Sequence, residues 1–256
     1  MKIISLYKIW RGNEFLVPSI MSNYNHVSEM VFVSSDISWS GKTGNDTFDV
    51  LDGWKKTYDC LNKIHIIKVS TKSQEEQYNI GMQYIVDTFP KTDFVQLVDS
   101  DEVWTESVWE NAMDIICSNK TINAISSNMT TYIKSQFYRV VGNGEVTPIV
   151  FVRSGMKYEG IRYNTIGPRA HIFNPIFHFA MVRRNFEDIA EKIANSIVGD
   201  NNGSSLVDID SWKKEVWNNL PDGPLRHYIK GCENIWQGVV VVRPEQIPAS
   251  CASVEI

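Results

Sequence analysis

Four short runs dominated by β-branched and apolar residues, Ile3 to Ile9, Glu29 to Ser34, Ile64 to Val69 and Phe94 to Val98, punctuate the first hundred residues of this chain. The stretches between them carry helical spacing: Glu14 to Asn23, with Pro18 expected to bend or restart the helix, then Phe48 to Cys60 and Gln74 to Phe89. Thr105 is placed to cap a further helix that runs to Ser118, and Ile122 to Ser126 reads as a fifth strand. Strands separated by whole helices pair in parallel through right-handed crossovers, so the first half is read as a Rossmann-like sheet.

The rhythm changes after Asn128. Thr130 to Val141, Val146 to Arg153 and His171 to Val182 are rich in β-branched and aromatic residues and are separated by glycine-bearing turns, which predicts antiparallel or mixed strands. Asp188 to Val198 and Ser211 to Leu220 read as helices, and the residues from Pro244 on read as a loose tail. The expected organisation is one α/β domain over 1–200, divided into a ligand-binding half (1–127) and a mixed-strand half (128–200), followed by a helical extension and tail over 201–256.

Charge narrows the class of partner. With 25 Lys and Arg against 30 Asp and Glu, the net charge of −5 argues against a nucleic-acid binder, which needs a basic face. The charge is uneven, however. Between Lys134 and Arg184 eight basic residues face two acids, leaving the remainder at −11, so this segment suits either a small anionic ligand or a plain basic surface stripe. Cys60, Cys117, Cys232 and Cys251 show neither CxxC nor metal-ligand spacing, so neither a zinc site nor a disulfide framework is expected. The first residues are too interrupted by charge for a signal peptide and no run of ~18 apolar residues occurs, so the chain is read as cytoplasmic, without a transmembrane segment.

The sharpest local feature is the strand Phe94-Val95-Gln96-Leu97-Val98 running into Asp99-Ser100-Asp101-Glu102. A buried strand that ends in carboxylates concentrates negative charge at the carboxyl edge of the sheet, where open α/β folds take their ligands. Alternate residues of an extended segment point the same way, so Asp99 and Asp101 can address one hard divalent ion that also holds phosphate oxygens. The plain alternative is a capped turn with solvated acids.

In this setting the sequence resembles the family 2-like glycosyltransferases of the GT-A fold, over about residues 1–200. The resemblance implies a GT-A Rossmann-like mixed sheet flanked by helices and a metal-dependent enzyme. Such an enzyme moves a sugar from a nucleotide-diphosphate sugar, with UDP as the default, to a glycan, glycoprotein or other hydroxyl acceptor. Carried over by position, Asp101 is the Mn²⁺ or Mg²⁺ ligand and Asp99 the ribose or second metal contact, and replacing Asp101 is expected to abolish ion-dependent donor binding without unfolding the chain. Met30-Val31-Phe32-Val33-Ser34-Ser35-Asp36 matches the second strand, ending in an acid for base or ribose, which makes Asp36 a donor contact. Tyr78-Asn79-Ile80-Gly81 is similar to an Arg-Asn-x-Gly pattern, with Asn79 retained and Tyr78 standing where Arg is expected.

The stretch from Phe177 to Arg184, leading into Glu191-Lys192-Ile193, resembles the element that supplies a metal-binding His and basic residues near the diphosphate, which names His178 and Arg183. An inverting transfer also needs a base. Glu159, between mixed strands, is the first choice and Glu145 the second. Trp39, Trp104 and Trp109 are secondary candidates for a sugar-stacking surface, although most tryptophans are core residues. Two other readings stay open: a non-catalytic nucleotide-sugar or glycan-binding domain, and a haloacid-dehalogenase-type phosphatase using the Asp99-Ser100-Asp101 run.

Overall fold

The computed structural model describes every residue except 12, 39–40, 45–46, 72, 143–146, 158–166, 200–207, 221–222, 228–235 and 255–256. The apolar runs become β1 (Ile3–Ile9), β2 (Glu29–Ser35), β3 (Ile64–Val69) and β4 (Phe94–Val98), separated by α1 (Leu16–Tyr24), α2 (Thr47–Tyr58) and α3 (Gln74–Thr88). They pair in parallel in the order β3-β2-β1-β4. Successive side chains alternate between the two faces of this sheet. Ile4, Leu6, Val31, Val33, Val95 and Leu97 pack with Tyr78, Met82 and Ile85 of α3. Tyr7, Ile9, Met30, Phe32, Phe94 and Val98 face the other way, toward Leu16 and Ile20 of α1 and Trp109 and Ala112 of α4 (Glu106–Ser118). Burial on both faces explains why these strands read as continuous apolar runs.

Pro18 does not break α1. It lies in the first helical turn, where a backbone N–H has no intrahelical partner to lose. Gly81 on α3 is required by close packing. A Cβ there would lie 2.3 Å from Leu6 Cδ1 and 2.9 Å from Val33 Cγ2, both on fully buried side chains. Gly81→Ala should gain helix propensity and still lower stability, by about 1–3 kcal/mol, because overpacking a filled interface outweighs the propensity. Urea unfolding midpoints measure this, and a stabilised variant would contradict the packing.

The second half adds β5 (Glu102–Val103), β6 (Ala124–Ile133), β7 (Tyr138–Val141), β8 (Ile149–Arg153), β9 (Arg169–Met181) and β10 (Gly238–Val241). β8 joins β4 and β6 antiparallel, while β9 runs parallel to β6 and antiparallel to β5. The expected strand from Thr130 to Val141 is two strands. Lys134, at φ +66°, turns the chain after β6 and hands its backbone N–H to Met181 O, so β7 folds back on β6 through Tyr132 and Arg139. Among the described residues the result is a mixed α/β fold with a ten-stranded sheet flanked by helices.

The C-terminal residues are packed. After α5 (Phe186–Gly199) and the short α6 (Ile209–Trp212), which runs into a π-helical turn, Trp212, Val216, Trp217 and Trp236 close over Phe186, Ile189 and Ile193. β10 extends the sheet through β7. The segment after Pro244, expected to be loose, buries Ile247 and Cys251 (in α7, Ala249–Ala252) with Phe15, Val103 and Phe179, because its apolar residues, Ala252 and Val254 among them, join that cluster. Among the described residues no helix is long and apolar enough to cross a membrane.

Candidate functional site

The parallel register carries β1, β2 and β4 to one common carboxyl edge, at Ile9, Ser35 and Val98. β5 and the second half of β9 lie beside it, with Glu102 opposite His178. This topology gathers charged residues from distant parts of the sequence around the Asp99-Ser100-Asp101 turn.

Asp101 is 4% exposed. Its Oδ2 accepts from Lys192 Nζ at 2.6 Å and from Arg183 Nη2 at 2.9 Å, and its Oδ1 lies 3.7 Å from His178 Nε2. Arg183 is itself buried and fixed, because Nη1 donates to Phe179 O and Val182 O while Nε lies 3.8 Å from the Glu14 carboxylate. Burial pushes the Asp101 carboxyl up. The Lys192 and Arg183 cations, with His178, more than reverse this and hold it well below the usual carboxylate range. For Lys192, burial and the neighbouring Arg183 lower the ammonium, and Asp101 pulls in the opposite direction, leaving a net downward shift.

Asp99 takes separate partners. Lys8, near the end of β1, places Nζ 3.0 Å from its Oδ1, and the Tyr78 hydroxyl donates to the same oxygen at 3.3 Å. Tyr78, where the family resemblance leads one to expect Arg, is thus a buried contact to this acid. At the rim, Glu191 on α5 receives both Arg11 and Lys42, the latter at 3.2 Å.

The sequence candidates sort clearly. Asp99, Asp101, His178 and Arg183 come together at this edge, and Asn79 follows Tyr78 on α3. Asp36 is exposed just after β2, its backbone joined to Val69 and Gly44. Arg184 is exposed, as expected when only one of two consecutive arginines faces inward. His171 is a structural residue between Ser126 and Asn128, with ring contacts of 2.9 Å to each. Trp104 and Trp109 are corrected to core residues at 3% and 1% exposure, packed edge-on against Phe151, so neither offers a face to a sugar. Glu159, Glu145 and Trp39 lie outside the described residues. Lys8 and Lys192 were missed as site residues. For Lys8 the available signal was a lysine near the end of the otherwise apolar β1 run, and for Lys192 its place in the Glu191-Lys192-Ile193 stretch that follows the His178 to Arg184 element.

The expected divalent ion finds a poor donor set here. Among the described residues, no three His, Cys, Asp or Glu side chains converge as a metal site. Asp101, the expected ligand, already carries two cations on one oxygen, and Asp99 turns to Lys8 and Tyr78. A divalent ion held about 4 Å from either cation would meet repulsion on the order of 8 kcal/mol at an effective dielectric near 20.

No protein-family profile matches the chain, and no curated protein matches it in sequence. Several solved structures overlap it. S. aureus TarS 1-349 shares 11% identity over 77% of this chain and 65% of that chain, with a TM-score of 0.45, so this chain spans just under two thirds of that solved chain. The 4-diphosphocytidyl-2C-methyl-D-erythritol synthase of Anaerococcus prevotii shares 11% over 77% of this chain and 98% of that chain, also at 0.45. The glucosyl-3-phosphoglycerate synthase of Mycobacterium tuberculosis, solved with Mn²⁺, UDP-glucose and phosphoglyceric acid, shares 12% over 49% of this chain and 43% of that chain, at 0.37. At these scores and identities the overlaps assign no activity to this chain.

Proposed function

We propose that this chain is a glycosyltransferase that moves a sugar from a nucleotide-diphosphate sugar, UDP-sugar in the first instance, to a hydroxyl acceptor such as a glycan or glycoprotein. The observation that carries this reading is the cluster of Lys192 and Arg183 on Asp101, with Lys8 on Asp99, at the carboxyl edge of the parallel strands. Open α/β sheets bind ligands at that edge, and fixed cations there suit a diphosphate. The resemblance of the Asp99-Ser100-Asp101 turn and of the His178 to Arg183 segment to family 2-like glycosyltransferases points the same way.

In the proposed reaction the acceptor hydroxyl attacks the anomeric carbon and a new C–O bond forms. The anomeric C–O bond to phosphate breaks, and its electron pair leaves on the nucleoside diphosphate. The hydroxyl proton passes to a carboxylate, for which Glu159 and Glu145 are the candidates. Asp36 and Asn79 are proposed nucleoside contacts. The Mn²⁺ or Mg²⁺ that the sequence resemblance implies is given no step, because the described residues do not fit it. Incubating the protein with a panel of nucleotide-sugars and following release of nucleoside diphosphate tests the reading. Release from one donor, accelerated by an acceptor, is the expected result; no release and no binding across the panel would refute it.

A further inference from the structure

We propose that Lys192, fixed by Asp101 and backed by Arg183, is the positive group that receives the donor diphosphate, so that nucleotide binding needs no divalent ion. This inference rests on the nucleotide-sugar reading above. Asp101 holds both cations, and Arg183 is shared with the Glu14 carboxylate 3.8 Å away, so Lys192 is the cation of this group that depends on Asp101 alone among the ion pairs described and can present its charge to a phosphate. The two cations have different freedoms. Arg183 has 7% of its side chain exposed and is tied to two backbone carbonyls, so it cannot turn toward a ligand and instead anchors Asp101. Lys192 has 30% of its side chain exposed and carries its ammonium on a flexible stem, a compact point charge suited to phosphate.

The rim repeats the arrangement one residue earlier on α5. Glu191 holds Arg11 from beyond β1 and Lys42 from beyond β2, again two cations on one acid. Both lie at the same sheet edge as Lys8. The cations at this edge are therefore each positioned by a carboxylate, and Asp101 acts as a positioning residue for Lys192 and not as a ligand for an ion.

Calorimetric titration of the full chain with UDP, GDP, ADP and CDP, in EDTA and then in Mn²⁺, tests this directly. One nucleoside diphosphate should bind in EDTA with an affinity that Mn²⁺ does not improve by as much as tenfold. Lys192→Ala should weaken that binding roughly 10- to 150-fold, the span expected for one charge-assisted hydrogen bond, and Lys192→Arg should retain most of it. Binding that requires Mn²⁺, or a Lys192→Ala protein that binds like the wild type in EDTA, would overturn the inference and leave the nucleotide-sugar reading standing. Failure of every nucleoside diphosphate in both conditions would overturn both. The wild-type comparison of EDTA with Mn²⁺ decides the matter even where the alanine variant does not fold.

Discussion

Replacing Asp101 by Ala should lower the free energy of unfolding by about 3–5 kcal/mol, the cost of breaking a buried ion pair from one side. From sequence alone the same substitution is expected to remove ion-dependent binding without unfolding the chain. The structure changes that expectation because Asp101 is buried and is the shared acceptor of Arg183 and Lys192. Without it, the Arg183 guanidinium is left in the interior with only the more distant Glu14 for charge compensation. Urea denaturation at neutral pH measures the loss, and a change below about 1 kcal/mol would show that Glu14 and water compensate. The double substitution Asp101→Asn with Lys192→Met removes one cation along with the anion and should recover part of the loss.

The same cluster fixes the direction of the acid response. The folded-state pKa of Asp101 is lowered, so its ionised form contributes stability above the ordinary carboxylate value of 3.8, and that contribution is lost as pH falls through the folded value. The stability gap between wild type and Asp101→Ala should therefore hold from neutral pH down to about pH 4 and narrow below it.

The parallel half of the fold was legible because each of its elements carries its own signal. β1, β3 and β4 begin and end where their β-branched runs do, and α4 starts at Thr105, whose hydroxyl accepts from Val108 N. The mixed half was less legible because its boundaries come from partners. β6 continues to Ile133 since β9 runs beside it, and β5 is a strand only by pairing with Phe177 and His178. The site divides along the same line. Asp99 and Asp101 were visible as acids at a strand end. Their partners Lys8, Arg183 and Lys192 were not visible as partners, because Arg183 and Lys192 lie 82 and 91 residues from Asp101 and only the sheet topology brings them together. Tyr78, read as a departure from an Arg pattern, fills its place by reaching Asp99 from the face of α3 that covers β1.

Exchanging the two candidate bases should separate them sharply, with Glu159→Gln slowing sugar transfer ~10²–10⁴-fold and Glu145→Gln leaving it close to wild type. From sequence Glu159 is the first choice, since it falls between mixed strands beside Lys157 and Arg162. Single-turnover transfer at saturating donor, with UDP affinity measured alongside to show that the donor site is intact, distinguishes the two. A slow Glu145→Gln beside a normal Glu159→Gln would reverse the assignment, and normal rates in both would exclude each of them as the base.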